Sequence, residues 1–305
     1  TWSNKLRSES TSDIDYLENI YKNISFATND IKNLVELMKL ETQCLHAGYS
    51  PESTTNSCAV PLYKTSSFVF NNTEHAANLF GLRELGNIYT RLMNPTTDVL
   101  EQRVAALEGG AAALGIASGT SAVFYSIINL AQEGDEIVSA NNLYGGTYTQ
   151  FTDILPKFGI NVKLVDPNNP ANFAAAITDK TKALFCESVS NPGLDVADIR
   201  AIANVANDHG IPLIVDSTFS TPYLTNPIEH GASIVIHSLT KWMGGHGNGI
   251  GGIVVDSGTF DWKNGNFPLY DNPDNSYHGL RWGHDLPEPL APVAYILRMR
   301  TVPLR

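Results

Sequence analysis

The chain is poor in several things, and each scarcity excludes a class of protein. It has only three cysteines, Cys44, Cys58 and Cys186, too few and too scattered for a disulfide framework or a thiolate metal cage. Basic residues are scarce: 20 Lys and Arg stand against 31 Asp and Glu, a net charge of -11. That balance repels phosphate backbones and anionic lipid surfaces, so neither nucleic acid nor membrane is expected as a partner. No apolar run reaches the roughly 20 residues that span a bilayer. The first residues lack a basic segment followed by an apolar stretch, so no secretory leader is expected, and a reducing, cytoplasmic setting is. The chain opens on Thr1 rather than Met, as a trimmed start does. What remains is ordinary: 43% apolar and 17% charged residues, a globular composition with length for about two domains and a sizeable core.

Residues 1–40 differ from the rest. Ile14, Leu17, Tyr21 and Ile24, then Ile31, Leu34, Val35 and Met38, recur at helical spacing, with Asp13 and Asp30 as N-caps. This predicts a helical N-terminal arm. From about residue 100 the pattern turns to strand and helix in alternation. A helix is predicted over 99–107, ended by Gly109-Gly110, and others over 119–131 and 195–209. Apolar runs at 136–140, 161–166, 183–187, 211–216, 233–237 and 252–255 are continuous rather than alternating, as in strands covered on both faces. The expected fold is α/β with a mostly parallel sheet. Residues 261–285, rich in Asn, Asp, Gly and aromatics, read as a long excursion over the surface.

In open α/β sheets, ligands bind beyond the carboxyl ends of the strands. The unusual polar residues of this chain follow strand ends: Tyr144 after the first run, Asn191 after the third, Asp216 and Thr218 after the fourth, Ser238, Thr240 and Lys241 after the fifth. Lys241 suits condensation with an aldehyde cofactor, and Asp216 suits holding a pyridine nitrogen protonated. Ser118-Gly119-Thr120 opens an apolar helix whose free N–H groups favour a phosphate. Tyr144 offers a face to stack on a ring, and Asn191 a donor to a ring hydroxyl. Taken singly, each has a plain alternative: Lys241 a solvated charge, Asp216 a turn former, Ser118 an ordinary cap. Their convergence on one sheet edge points to a site. Gly247-Asn248-Gly249-Ile250-Gly251-Gly252 has the G-x-G-x-x-G spacing of dinucleotide sites, but a strand follows it where that fingerprint needs a helix.

The stretch HSLTKWMGGHGNGIGG (237–252) resembles the lysine segment of the Cys/Met-metabolism enzymes, a fold-type I pyridoxal-phosphate family. YTRLMNPTTDVLEQRVAALEGG (89–110), ASGTSA (117–122), LYGGTY (143–148), ESVSNP (187–192) and DSTFSTPYL (216–224) match it in order, and the resemblance runs from about Glu41 to Arg305. Within the family, ETQCLHAGY, TEHAANLFGLRELGNIYTRLMNPT and NPDNSYHGL are most similar to the O-acetylhomoserine sulfhydrylase branch, where an insertion like 261–285 is typical. The chain departs from the family pattern at Thr120, where Met or Gln is usual, and at Val189, Ser217 and Trp242.

The resemblance implies a seven-stranded large domain over 101–305, incomplete at its end, with the small C-terminal domain and its carboxylate-binding arginine absent. It implies that Lys241 is the Schiff-base lysine and proton shuttle, with Tyr144 stacking on the ring and sharing in catalysis. Asp216 would pair with the ring nitrogen and Asn191 with the ring hydroxyl, while Ser118, Gly119, Thr120, Thr218, Ser238 and Thr240 complete the cofactor pocket. Segment 41–100 would carry Tyr89 and Arg91 to the phosphate of a neighbouring subunit, in a dimer of dimers. The implied reaction is γ-replacement on O-acetyl-L-homoserine by sulfide or a thiol, giving homocysteine or a related amino acid plus acetate. Alternatives are a γ- or β-lyase on the same scaffold, or a non-catalytic truncated paralogue serving as an assembly subunit.

Overall fold

The computed structural model describes residues 38–288 and 290–304, so the helical arm expected over 1–40, caps included, lies outside the described residues except for its last three. The chain divides into two units at Ala47/Gly48. Of the first, the described part holds helix α1 (Leu40–His46). The second begins with α2 (Thr73–Phe80), capped by Asn72, whose side chain accepts from His75 N–H.

Next comes α3 (Pro95–Glu108), longer than the helix predicted over 99–107. The extra turn follows from its cap: Asn94 Oδ1 accepts from Thr96 N–H at 2.9 Å, and Pro95 occupies the first helical position, where its missing N–H costs nothing. Gly109 ends the helix in the left-handed region (φ 70°), a conformation glycine adopts without strain.

There follow β1 (Ala112–Ile116), α4 (Gly119–Ile128), β2 (Glu136–Ala140), α5 (Gly145–Thr149), β3 (Asn161–Val165), α6 (Ala171–Ala176), β4 (Thr181–Glu187), α7 (Ile199–Asp208), β5 (Leu213–Asp216), α8 (Thr221–Leu224), β6 (Ile234–Ser238), β7 (Gly252–Asp256), α9 (Pro268–Asp271) and α10 (Ala294–Thr301). The strands form one seven-stranded sheet in the order β1-β7-β6-β5-β4-β2-β3. All neighbours are parallel except β7, which runs antiparallel to both β1 and β6. The mixed α/β sheet thus has the seven strands and the mostly parallel order expected.

Six strands match the apolar runs of the sequence. The seventh, β1, has the sequence AALGI, too rich in small residues to stand out as an apolar run. Helix α7 begins at Ile199 rather than 195, because Asp198 caps it through Ala201 N–H while Asp195 N–H is bound to Ser190 Oγ (3.0 Å). Strand β4 is buried along its whole length, which accounts for its unbroken apolar run.

The 261–285 excursion runs over the surface, most of its residues exposed, and is anchored there by aromatics. Trp262, Phe267, Tyr270 and Trp282 are all buried. Trp262 stacks between Tyr270 (4.4 Å between centroids) and Tyr295 of α10 (5.1 Å), and Lys182 of β4 donates to Asn266 O at 2.7 Å. Its aromatics carry enough apolar area to hold a segment of irregular backbone against the sheet.

Candidate active site

Two reversals of direction put five strand termini on one edge. Gly252, the first residue of β7, pairs with Ile116 at the end of β1 and with Ser238 at the end of β6. The carboxyl ends of β1 and β6 therefore face the same way as those of β2, β4 and β5. Above them opens a cavity of about 630 Å³. Ser118, Gly119, Thr120, Tyr144, Asn191, Asp216, Thr218, Ser238, Thr240 and Lys241 all line it. Ten of the twelve site residues named from the sequence are thus brought together, at the edge where the sequence places them.

Tyr89 and Arg91 are not among the residues lining this cavity. Both are exposed, and the Arg91 guanidinium lies over the Tyr89 ring at 5.2 Å. Their segment is fixed by the bond from Thr90 N–H to Ser66 O (2.9 Å) and by an isolated bridge between Ser67 and Tyr89.

At one end of the cavity, α4 starts against β6. Ser118 caps the helix, its Oγ accepting from Ser121 N–H at 3.1 Å. Among the described residues the N–H groups of Gly119 and Thr120 and the hydroxyl of Ser238 have no hydrogen-bond partner. A Cβ on Gly119 would lie 2.5 Å from Ser238 Cβ, so only glycine allows the two chains to approach this closely. Free backbone donors at a helix start beside a free hydroxyl form a cradle for an anion. Thr240 differs: its hydroxyl donates to Gly251 O (3.2 Å) and accepts from Gly251 N–H (3.1 Å), pinning the glycine-rich loop after Lys241.

Asp216 closes β5. Its Oδ1 accepts from both the N–H (3.0 Å) and the hydroxyl (2.6 Å) of Thr218, while Thr218 Oγ1 accepts from Ser238 N–H at 2.8 Å. Oδ2 has no partner among the described residues, leaving one carboxylate oxygen for a ligand. Burial pushes the Asp216 carboxyl above its ordinary range, against the pull of the Thr218 hydrogen bonds and of His237. A cationic N–H facing Oδ2 would oppose the effect of burial and favour the ionised form. Lys241 follows in a turn closed by Gly245 N–H to Lys241 O (2.8 Å); the residue is exposed and its amine has no hydrogen-bond partner among the described residues.

Two further residues were not singled out from the sequence. Glu187, at the end of β4, lines the cavity and accepts from Tyr144 N–H at 2.7 Å and Asn191 N–H at 3.1 Å. Burial first, and Asp216 on the neighbouring strand, push its carboxyl up to about 7. Gly146 carries no Cβ where one would lie 2.5 Å from Tyr144 Cε1, so the Tyr144 ring folds back over the start of α5. Glu187 was visible as the last residue of an apolar run and the first of the ESVSNP match, and nothing in its spacing announces the two N–H groups it meets.

The chain is similar to known proteins over most of its length. The model of the Cys/Met metabolism PLP-dependent enzyme family matches residues 41–274. The chain belongs to that family. It is 54% identical over 271 residues to the O-acetyl-L-homoserine sulfhydrylase of Leptospira meyeri, covering 88% of this chain and 61% of that protein. It is 50% identical over 274 residues to the homocysteine synthase of Schizosaccharomyces pombe, covering 89% of this chain and 63% of that one. The chain thus spans about three fifths of the length of these curated relatives. A crystal structure of a candidate O-acetylhomoserine (thiol)-lyase (metY) from Campylobacter jejuni, containing N′-pyridoxyl-lysine-5′-monophosphate, superposes with a TM-score of 0.79. It is 37% identical and covers 88% of this chain and 72% of that one. A family that uses pyridoxal phosphate fits the cavity found here: the phosphate is an anion suited to the cradle at Gly119, and the ring nitrogen is a base suited to the open oxygen of Asp216.

Proposed function

We propose that the cavity binds pyridoxal 5′-phosphate and that the protein catalyses γ-replacement on O-acetyl-L-homoserine. Sulfide or a thiol would replace acetate, the C–O bond at Cγ breaking first and the C–S bond then forming at the same carbon, to give homocysteine or a related amino acid. The observation that carries this reading is the convergence, in one cavity, of an unpartnered lysine amine, a carboxylate with one open oxygen and a glycine-built anion cradle. The names and identity of the relatives support the substrate and product.

In this reading the N–H groups of Gly119 and Thr120 and the Ser238 hydroxyl hold the phosphate, with Ser118 fixing the helix start and Thr240 fixing the loop beyond it. Asp216 holds a proton at the ring nitrogen, oriented by Thr218. Tyr144 stacks on the ring, and the Asn191 amide meets the ring hydroxyl. Bound in this way, pyridoxal phosphate supplies an electron sink for charge developed at the substrate α-carbon. Lys241 is the residue that carries the aldehyde carbon and moves protons between substrate carbons, a task for an amine free of competing hydrogen bonds.

Tyr89 and Arg91, outside their own chain's cavity, are proposed to reach the phosphate of a second copy, with segment 41–100 as the crossing element. The guanidinium fork suits a phosphate. Two such site-sharing pairs would make a homotetramer. We further propose a cytoplasmic setting, supported by three free cysteines. The division proposed is an arm over 1–40, the crossing segment, and a cofactor-binding domain over 101–305.

Borohydride reduction after incubation with pyridoxal phosphate, followed by peptide mass mapping, is expected to place one pyridoxyl label on Lys241. A folded protein without that label overturns the cofactor reading. Incubation of the whole enzyme with O-acetyl-L-homoserine and sulfide is expected to yield homocysteine and acetate. An α-keto acid and ammonia as main products would assign a lyase instead.

A further inference from the structure

Glu187 is 6% exposed and sits directly beside Asp216, its register partner on β5. Two carboxylates side by side at a buried strand edge repel each other and lose hydration. No basic side chain bonds to Glu187 among the described residues. What it does have is two backbone N–H groups from two different loops, one on each oxygen: Tyr144 N–H on Oε1 and Asn191 N–H on Oε2.

Both loops need such a tie. Neither the Tyr144 hydroxyl nor the Asn191 amide makes a hydrogen bond among the described residues, so no polar contact of its own aims either side chain. Tyr144 is otherwise held through its carbonyl, which accepts from Tyr148 N–H at 2.9 Å. A carboxylate is the side chain that can accept two N–H groups at once; an amide of the same shape offers one acceptor and turns its NH₂ toward the other donor.

We infer that Glu187 is a positioning residue: one carboxylate fixes the backbone of Tyr144 and of Asn191 together, so that the ring-stacking face and the ring-hydroxyl partner are set as a unit. This rests on the reading that pyridoxal phosphate occupies the cavity. The loops also share a second tie, from Asn142 Nδ2 to Asp195 Oδ2 (3.1 Å), which does not involve Glu187 and keeps them joined when Glu187 is changed.

The test measures pyridoxal phosphate affinity at about pH 8, above the point near 7 where Glu187 ionises, by titrating the apo-protein at the visible band of the bound cofactor, with visible circular dichroism at saturation. Glu187→Gln is expected to weaken binding roughly tenfold, the effect of losing one charge-assisted hydrogen bond, and to alter the dichroism per bound cofactor. In a Tyr144→Ala/Asn191→Ala background the same change is expected to cost less than about twofold, because contacts that act through one another are not additive. Equal losses in both backgrounds, or no loss in the wild-type background, overturn the inference. Glu187→Asp keeps the charge but is too short to reach both donors. It is expected to lose affinity as Gln does, and wild-type affinity in that variant overturns the bridging role even if the Gln protein does not fold. A wild-type protein that takes up no pyridoxal phosphate overturns both this inference and the occupancy on which it rests.

Discussion

A Cβ on Gly252 would lie 2.2 Å from Ser118 O and 2.8 Å from Gly119 N, backbone atoms that cannot swing aside. Gly252→Ala is therefore expected to abolish pyridoxal phosphate uptake, read by absorbance titration. Gly249→Ala, where a Cβ would meet nothing within 4 Å, is expected to leave uptake unchanged. At Gly146 the clash is with the Tyr144 ring, which can move, so Gly146→Ala is expected to weaken binding several-fold without unfolding the chain, seen as a raised Kd at an unchanged Tm. These residues differ in how legible they are. Lys241, Asp216 and Ser118-Gly119-Thr120 could be read because each follows or precedes an element at a fixed offset, and a strand end has a known direction. Glu187 could not, because its two partners are 43 residues before and 4 residues after it, and only the sheet order makes them neighbours. The exposed Tyr89 and Arg91 were legible through resemblance alone.

Elements were legible where burial is two-sided. The run ALFC of β4 lies wholly inside, and hydrophobic continuity is its direct trace. Strand β1 left no such trace, since its glycine and alanines make room for α3: a Cβ on Gly115 would sit 3.3 Å from Thr97 Cγ2. The aromatics of 261–285 were legible as composition but not as core, because irregular backbone gives them no period. Their contribution can be measured. Trp262→Ala removes the middle ring of the Tyr270–Trp262–Tyr295 stack and is expected to cost about 3–5 kcal/mol in denaturant unfolding. Behind β6, on the side away from Ser238, His237 Nε2 and Glu108 Oε1 meet at 2.5 Å with both side chains fully buried. Glu108→Ala strands His237 in the interior and is expected to cost about 3–5 kcal/mol, while a Glu108→Leu/His237→Leu pair recovers most of that loss. A double variant no more stable than the single one would show that the pair itself, rather than the stranded partner, carries the energy.

For the molecule as a whole, buried acids set the pH dependence of stability. Asp256, at the end of β7, is fully buried; burial pushes its carboxyl from 3.8 to about 7, only partly offset by Gly258 N–H. Glu187 rises from 4.5 to about 7 for a similar reason. The folded chain keeps these protons over a range where the unfolded chain releases them, so between about pH 4 and pH 7 folding binds protons and stability falls as pH rises. The contribution is full below about pH 4 and lost through pH 7. Asp256→Asn removes one such proton, and Tm measured from pH 5 to pH 7 is expected to fall less steeply than in the wild type. Equal slopes would mean that Asp256 is ionised in the folded state throughout.

The antiparallel strand has a consequence in time as well as in space. Strand β1 joins the sheet only through β7, which runs from Gly252 to Asp256. A ribosome that has released residues up to 245 has already delivered Lys241, Asp216 and the helix that starts at Gly119. Yet β1 still has no strand to hydrogen-bond, and only the packing of α4 on β6 holds Gly119 beside Ser238. The bound cofactor's colour is therefore expected to appear during refolding no earlier than the docking of β7, and colour that precedes it would show that the packing of α4 on β6 is enough to form the cradle.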